Sequence, residues 1–338
     1  MKKTGNTYCF QDPPRVLSYA SVVGKKEGEG PLSRDFDYIS DDNTFGEQTW
    51  EKAESRMMSM ALERALSKAH LPPSQLGCIL GGDLLNQCIG TTFALRPTNV
   101  PFLGLYGACS TMAEGLLVAS CLVESGFEQT ACAITSSHFC SAERQYRYPL
   151  EYGGQRPQTA QWTATASGAV VLQKGGMGVR ITHATPGRIA DPGVTSQANM
   201  GAAMALSAYE TIRRFFQDTH TGPSHYDLIV TGDLGKVGHQ IVIDLFQRDG
   251  IDMRPTYDDC GLLLYDGSQD VHAGGSGCGC SAAVLCSYIL KAMEQGIFRK
   301  VLFCGTGALL SPTSCNQGQS IPGICHLVCL EADEKWNM

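Results

Sequence analysis

The clearest pattern of apolar and polar positions along the chain is one that occurs twice. Residues 72–84 (PPSQLGCILGGDL) align without a gap with residues 222–234 (GPSHYDLIVTGDL), and six of the thirteen positions are identical. Each copy follows a stretch in which apolar residues recur every three or four positions, as in an amphipathic helix. Each copy then predicts a Pro-Ser turn, a short apolar strand and a Gly-Asp pair where the strand ends.

A second pair of similar segments follows. Residues 107–127 begin GACSTMAEGLL and residues 277–297 begin GCGCSAAVLCS. The offset grows from 150 residues (72 to 222) to 170 (107 to 277), which indicates an insertion in the second half. Both segments predict a turn of small residues and then an apolar helix that ends at a glycine, Gly126 or Gly296. An apolar strand follows each helix.

The repeated unit is therefore helix, strand, turn, buried helix and strand, which predicts layered α/β sheets. The buried helices are apolar on nearly every side and suit a central layer between two sheets. The strand Ser167–Leu172 closes the first half, and Lys174-Gly175-Gly176 resembles a link. We therefore predict two similar halves, residues 1–174 and residues 175–338.

Composition and charge restrict the classes of function. The 338 residues carry 26 Lys and Arg against 33 Asp and Glu, a net charge of −7, so no nucleic-acid partner is expected. No apolar run reaches the roughly 20 residues that span a bilayer. The N-terminal lysines lack the apolar stretch of a secretory signal, so we expect a cytosol-like location.

The fifteen cysteines do not fit a secreted disulfide scaffold, which would be a shorter chain. Most lie in apolar runs and are expected to be buried, reduced thiols. The Cys278-Gly279-Cys280 string has no second pair to complete a zinc set, so we predict neither a metal nor a cofactor.

Cys109 is the candidate for chemistry. It lies in Gly107-Ala108-Cys109-Ser110-Thr111, directly before the predicted helix Met112–Ser125. A thiol at a helix N-terminus is expected to have a lowered pKa and raised nucleophilicity. On the local sequence alone, Cys109 is equally well interpreted as a buried small residue at a crowded turn.

The order of elements, the GACST turn and the duplication resemble the thiolase superfamily, in particular its 3-oxoacyl-acyl-carrier-protein synthase III branch. Gly107-Ala108-Cys109-Ser110 is similar to that branch's nucleophile turn, and residues 166–172 (ASGAVVL) are similar to the end of its first half. The resemblance implies a thiolase-like fold of two similar halves in five α/β/α/β/α layers, and a homodimer. It also implies an acylated cysteine with a His and an Asn, or two His, from the other half.

Those partners are missing from their expected positions. The strand Leu228–Val230 leads into Thr231-Gly232-Asp233, where the branch has its His. The stretch 275–281 (GSGCGCS) has no Asn. A condensation needs donors that stabilise an enolate oxygen, each worth roughly 3–4 kcal/mol. We therefore expect no condensing activity, and the alternative is an acyl-transferring or condensing enzyme that uses Cys109 with His239 or His272.

Three further strings resemble the stage V sporulation protein AD family of spore-forming bacteria, whose members are non-condensing relatives. They are residues 45–54 (FGEQTWEKAE), 229–239 (IVTGDLGKVGH) and 273–282 (AGGSGCGCSA). This resemblance implies binding of dipicolinic acid (pyridine-2,6-dicarboxylate) or its calcium chelate, and a part in its uptake into the developing spore. It also implies membrane-embedded stage V sporulation subunits as partners, and a peripheral position on the cytoplasmic face of the forespore inner membrane.

Dipicolinate is a small, planar dianion and calls for N–H or cationic donors and a stacking surface. The segment that follows the strand after the first buried helix offers hydroxyl, imidazole, guanidinium and aromatic groups. The candidate ligand-binding residues are Asp83, Cys109, Ser136, His138, Arg144, Tyr146 and Arg147.

Several of these candidates have a plain structural alternative. Asp83 would bind the dianion only through a bridging cation, such as the calcium of the chelate, and its repeat mate Asp233 favours a turn-capping role for both. His138 is equally well interpreted as a core histidine. Arg144 and Arg147 are equally consistent with exposed or dimer-facing charges. A third hypothesis for the whole protein is a scaffold with a vestigial pocket.

Overall fold

The computed structural model of the chain describes residues 1–146 and 155–333. Strands of the first part of the chain are β1 (Lys2–Thr4), β2 (Thr7–Cys9), β3 (Arg15–Val23), β4 (Tyr38–Ile39), β5 (Cys78–Gly82), β6 (Phe102–Gly104), β7 (Thr130–Ser137), β8 (Trp162–Thr163) and β9 (Ala166–Gln173). Those that follow are β10 (Val179–Thr185), β11 (Leu228–Thr231), β12 (Tyr257–Asp259), β13 (Gly275–Ser276), β14 (Lys300–Ala308) and β15 (Gly323–Ala332).

The helices of the described residues include four long ones and several single turns. They are α1 (Lys25–Gly28), α2 (Trp50–Lys68), α3 (Ile89–Leu95), α4 (Thr111–Ser125), α5 (Phe139–Tyr146), α6 (Met200–Thr219), α7 (Gly235–Arg248), α8 (Cys260–Leu263), α9 (Cys278–Val284), α10 (Leu290–Glu294) and α11 (Pro312–Asn316). A π-helical segment, Leu285–Ile289, joins α9 to α10 into one long element.

Two sheets of the same design form the frame. The first runs β3-β9-β7-β5-β6 and the second β10-β15-β14-β11-β12. In both, the first two pairings are antiparallel and the last two are parallel. The sheets meet edge to edge through one residue pair, Arg180 opposite Arg15. The repeated segments of the sequence therefore form equivalent strands in two sheets that have the same strand order.

Helices cover both sheets and fill the space between them. The α2 helix packs its buried Met57 and Ala61 against the first sheet, and α6 packs Met204 and Phe215 against the second. The apolar helices α4 and α9 share one core cluster between the sheets. The molecule therefore has five layers, α/β/α/β/α, and the thiolase-like α/β fold predicted from the sequence is confirmed.

The repeated segments occupy equivalent places. A single helical turn, Pro73–Gln75, leads into β5, and its counterpart Pro223–His225 leads into β11. The α4 helix ends at Gly126, whose φ of +80° is readily adopted only by glycine. Gly296, with φ of +71°, follows α10 in the same way.

Two further strand pairings link the two halves. The N-terminal strand β2 pairs with β10, the first strand of the second sheet. The short strand β8 pairs in parallel with β13, so residues 162–163 lie beside residues 275–276. The boundary between residues 174 and 175 stays a prediction, because these pairings do not test whether either half is an independent domain.

One helical stretch of the described residues, Ala108–Ser125, is long and apolar enough to cross a membrane. In this fold 61% of it is buried, because α4 lies between the two sheets. Its apolar composition is accounted for by this central position.

Candidate functional site

Cys109 lies on a tight turn at the head of α4. Residues Ala108–Ser110 form a single helical turn, and Ala108 has a φ of +51°, an unfavourable value for a residue with a side chain. The Ser110 hydroxyl donates to the Gly107 carbonyl at 2.7 Å, and the Thr111 hydroxyl donates to that of Ala108 at 2.7 Å. These bonds hold the strained backbone and fix the direction of the Cys109 thiol.

The turn packs directly against β14 of the second sheet. A Cβ atom on Gly307 would lie 2.6 Å from the Gly107 carbonyl oxygen, and one on Gly305 would lie 2.7 Å from the Ala113 Cβ atom. Both distances are too short for real atoms, so glycine is required at each position. The second half therefore forms one wall behind Cys109.

The partner of Cys109 is Asp233, which follows β11. The Asp233 carboxylate is 1% exposed and lies close enough to the Cys109 thiol for each group to shift the pKa of the other. The carboxylate accepts bonds from the Thr306 hydroxyl at 2.8 Å, the Gly277 N–H at 2.9 Å and the Ser276 hydroxyl at 3.2 Å. Three donors from two separate segments therefore converge on one buried carboxylate beside the thiol.

This environment keeps the thiol protonated. Burial is the largest cause that raises the pKa of Cys109 well above its ordinary value, and the negative charge of Asp233 adds to it. Burial also raises the pKa of Asp233, while its hydrogen bonds act in the opposite direction. The lowered pKa expected from the helix N-terminus was wrong, because desolvation and a neighbouring carboxylate outweigh the helix dipole.

A small cavity of about 50 Å³ lies over Cys109, between the halves. Its lining residues are Leu84, Ala108, Cys109, Ala142, Glu143, Tyr146, Thr163, Met200, Ser276, Ala308 and Leu310. The Thr163 hydroxyl donates to Glu143 at 3.3 Å. Among the described residues the lining holds a carboxylate and hydroxyl groups but no Lys, Arg or His side chain.

Two of the predicted ligand-binding residues, Cys109 and Tyr146, line this cavity. The Tyr146 hydroxyl donates to the Leu84 carbonyl and lies 3.3 Å from the Tyr106 hydroxyl. Arg147 lies outside the described residues. The structure therefore brings two of the predicted ligand-binding residues to one cavity, Cys109 from the turn before α4 and Tyr146 from α5.

Asp83 and Ser136 are buried and do not line the cavity, so a direct ligand contact by either stays a prediction that this geometry does not favour. The Asp83 carboxylate accepts from the backbone N–H groups of Leu85 at 2.8 Å and Thr91 at 2.7 Å. It caps the turn before α3, as the repeat suggested. The Ser136 hydroxyl donates to Glu54 at 3.1 Å. Both side chains therefore have hydrogen-bond partners inside the protein.

His138 and Arg144 also point elsewhere. The His138 Nε2 donates to the Asn43 carbonyl at 2.7 Å and its Nδ1 accepts from the Cys140 N–H at 3.2 Å. Burial lowers the pKa of His138, which keeps the ring neutral. Arg144 pairs with Glu51 at the surface. The contacts of both residues agree with their structural alternatives, and ligand contact by either residue stays a prediction.

The histidines of the enzyme alternative do not reach Cys109 either. His239 lies on α7, where its ring stacks on Tyr257 with centroids 4.6 Å apart. His272 hydrogen-bonds the Pro157 carbonyl at 2.8 Å. Neither residue lines the cavity, so their pairing with Cys109 was wrong.

Sequence reasoning missed Asp233, Ser276 and Thr306 as neighbours of the thiol. Asp233 was visible as the residue that ends the second repeated strand, where a catalytic His was sought. Its identity with Asp83 in the repeat favoured the same capping role for both. The structure separates them, because Asp83 accepts hydrogen bonds from Leu85 and Thr91 near its own strand, whereas Asp233 accepts them from Ser276, Gly277 and Thr306 beside Cys109.

The duplicated sheets, the central helices and a cysteine turn facing the interface between the halves define a thiolase-like protein. Two solved structures share this fold. One is 3-oxoacyl-[acyl-carrier-protein] synthase III from Aquifex aeolicus, with a TM-score of 0.57, 14% identity, and coverage of 94% of this chain and 99% of that one. The other is cerulenin-bound OleA from Xanthomonas campestris, with a TM-score of 0.61, 13% identity and coverage of 98% and 100%.

The sequence defines the family more closely. The model of the stage V sporulation protein AD (SpoVAD) family matches residues 4–331. Stage V sporulation protein AD of Bacillus subtilis is 46% identical over 332 residues, which cover 98% of each chain. The chain therefore belongs to the stage V sporulation protein AD family, and the family membership predicted from its sequence motifs is confirmed.

Proposed function

We propose that this chain binds dipicolinic acid, as its calcium chelate, in the cavity over Cys109, and takes part in uptake of the compound into the developing spore. The observation that carries the proposal is the environment of Cys109. A protonated thiol beside a carboxylate is poorly suited to condensation, whereas a cavity between the halves is suited to binding a small molecule. Membership of a sporulation family agrees with this function.

The charges around the cavity favour the chelate over the free dianion. Glu143 lines the cavity and Asp233 lies directly behind Cys109. The buried carboxylate of Asp233 disfavours a bare dianion nearby, whereas calcium takes six to eight oxygen ligands and accepts carboxylates readily. We propose that Glu143 supplies one oxygen to the calcium and that Tyr146 contacts the pyridine ring.

The size of the cavity favours a compact ligand. About 50 Å³ is small beside the roughly 300–1,000 Å³ of sites for drug-sized molecules. A single planar ring suits such a space better than a long acyl chain does. Arg147 remains a candidate contact from the segment next to Tyr146.

Uptake requires partners, because a globular domain does not carry a solute across a bilayer. We propose that the chain acts beside membrane-embedded stage V sporulation subunits, on the cytoplasmic face of the forespore inner membrane. We further propose a homodimer, supported by the exposed edge strand β6 and by the large apolar side chains that accompany it, Phe93, Leu103 and Tyr106.

Calorimetry with the purified full-length chain tests ligand binding. We expect heat of binding with millimolar dipicolinate plus calcium, and weaker heat with dipicolinate plus EDTA. Ala142→Leu, which fills the cavity from α5, should abolish the heat. Cys140→Leu, on the same helix but outside the lining, is the matched control and should leave it unchanged. No heat with either form of the ligand would contradict the proposal.

Acyl transfer is the second candidate, because the cavity presents a thiol with a proton acceptor beside it. Cys109 would pass its proton to Asp233, attack a thioester carbonyl and release the free thiol of coenzyme A. Incubation with acetyl-CoA followed by intact-mass measurement tests this step. An acetyl adduct on the wild type that Cys109→Ala removes would favour the enzyme over the binding protein.

A further inference from the structure

A second cavity, of about 240 Å³, lies on the outer face of the second sheet near the end of α6. Side chains of four strands, of α6 and of the α6–β11 connection line it. The lining residues are Cys9, His183, Phe215, Asp218, Thr219, Thr221, His225, Tyr226, Lys300, Cys329 and Glu331. Two thiols, two imidazoles and two carboxylates in one cavity form an unusual concentration of metal-binding groups.

Three of these residues stand close together. One donor atom each from His183, Cys329 and Glu331 lies within 4.8 Å of the other two. Ligands of a tetrahedral zinc ion are separated by roughly 3.3–3.8 Å, given zinc–nitrogen and zinc–sulfur bonds of about 2.0 and 2.3 Å. Small side-chain adjustments therefore suffice to bring the three atoms onto one ion.

The strand register creates this grouping. His183 on β10 lies directly opposite Cys329 on β15, and Glu331 follows two residues later on the same face. The register shifts between Ile181 and His183. This irregularity directs both Thr182 and His183 toward the same group of side chains.

Thr182 connects two of the candidate ligands. The His183 Nδ1–H donates to the Thr182 hydroxyl oxygen at 3.0 Å, and the hydroxyl donates to Glu331 Oε1 at 3.2 Å. Outer hydrogen bonds of this kind orient the groups that bind a metal.

Two cationic side chains lie beside Glu331, one of the three candidate ligands. Arg180 lies 3.3 Å from Glu331 Oε2, and Lys300 lies 3.9 Å from Glu331 Oε1. A carboxylate can bind a metal through one oxygen while its other oxygen keeps an outer partner. Arg180 is well placed as that partner.

We propose that one imidazole nitrogen of His183, the Cys329 thiolate and one Glu331 oxygen bind a single zinc ion, with the fourth coordination position open to the 240 Å³ cavity. The donor set of nitrogen, sulfur and oxygen suits zinc better than calcium or magnesium, which prefer oxygen alone. The Cys329 thiol releases its proton to solvent when the metal binds. The open position faces Cys9 and His225 and accepts water or a small ligand.

This proposed site goes beyond dipicolinate binding and differs from the sequence-based expectation that the chain holds no metal. That expectation followed from the search for closely spaced Cys and His pairs, such as Cys278 and Cys280. His183 and Cys329 are instead 146 residues apart in sequence and meet only through the pairing of β10 with β15.

Metal titration of the full-length chain, stripped of metal and free of dipicolinate, tests the site. We expect one equivalent of zinc by elemental analysis after dialysis. Cobalt should replace it and give the near-ultraviolet charge-transfer absorption of a cobalt–thiolate bond. Cys329→Ser should remove that absorption, and Thr182→Val should weaken zinc binding by roughly 10–100-fold, as the loss of an outer partner does.

Cys325→Ser is the matched control, because Cys325 is buried on the same strand and the same face but outside the cluster. It should keep both the stoichiometry and the absorption, which separates a specific site from general binding to fifteen thiols. Circular dichroism of each variant checks that it is folded. Less than one-tenth of an equivalent of zinc in the wild type, or an unchanged cobalt spectrum in folded Cys329→Ser, would overturn the proposal.

Discussion

In this chain a carboxylate lies beside the Cys109 thiol, where the resemblance to the synthase branch implied an imidazole. An imidazole would accept the thiol proton and stabilise the thiolate as an ion pair. Asp233 instead adds negative charge to a buried position and raises the pKa of Cys109. One residue type at the end of β11 therefore changes the protonation of a cysteine in the other half.

We predict that Asp233→Asn lowers the pKa of Cys109, because the variant removes the charge and keeps the shape. Alkylation by iodoacetamide requires the thiolate, so the midpoint of its pH profile should move to lower pH by about one unit or more. Peptide mass spectrometry resolves Cys109 from the other cysteines. Ser276→Ala, which removes a hydrogen bond to Asp233 but no charge, should shift the midpoint less. Equal profiles for wild type and Asp233→Asn would contradict the prediction.

At the level of elements, the close contact between the Cys109 turn and β14 sets the position of the thiol. This contact depends on glycine at residues 305 and 307, where any side chain would overlap the turn. The two halves therefore meet tightly where the candidate site is built. Repeats in the sequence could predict both elements, but they could not predict this contact.

We predict that Gly307→Ala destabilises the protein by about 1–3 kcal/mol, as overpacking of a core does, and displaces the Cys109 turn. Urea unfolding measures the first effect and loss of dipicolinate heat in calorimetry measures the second. Gly267→Ala is the control, since a Cβ atom there meets nothing within 4 Å. A Gly307→Ala protein as stable as that control would show that the contact relaxes without cost.

Much of the element structure, but not the surroundings of Cys109, could be predicted from the sequence. The helix and strand order, the glycine ends of the buried helices and the cysteine turn all followed from local patterns and the repeat. The partners of Cys109 did not, because Asp233, Ser276 and Thr306 belong to separate segments that only the packed halves bring together. For the same reason the sequence could not show that His138 and Arg144 form their hydrogen bonds and ion pair away from the cavity over Cys109.

At the scale of the whole molecule, the first sheet ends at an edge strand whose outer side is paired with no other described residue. The strand β6 is the last of its sheet, and Leu103 on it is 48% exposed. An exposed apolar edge strand invites pairing with another chain. Two copies joined there would extend the sheet through both protomers, which is how we expect the proposed homodimer to form.

We predict that Leu103→Lys converts the dimer to a monomer, because a charged side chain on the edge opposes strand pairing. Sedimentation velocity across a range of concentrations measures the change. Phe127→Lys, at a position 82% exposed and far along the chain from β6, should leave the mass unchanged. A wild type that sediments as a monomer would exclude this dimer, whatever the variants do.

The pairing of the N-terminal strand β2 with β10 has a consequence for how the chain folds during synthesis. All the strands of the first sheet have left the ribosome once residue 173 has emerged, so that sheet can form early. The hairpin of β1 and β2 must wait until β10 appears, about 175 residues after its own synthesis. Its unpaired edge is exposed to other nascent chains throughout that interval, when a chaperone would protect it best.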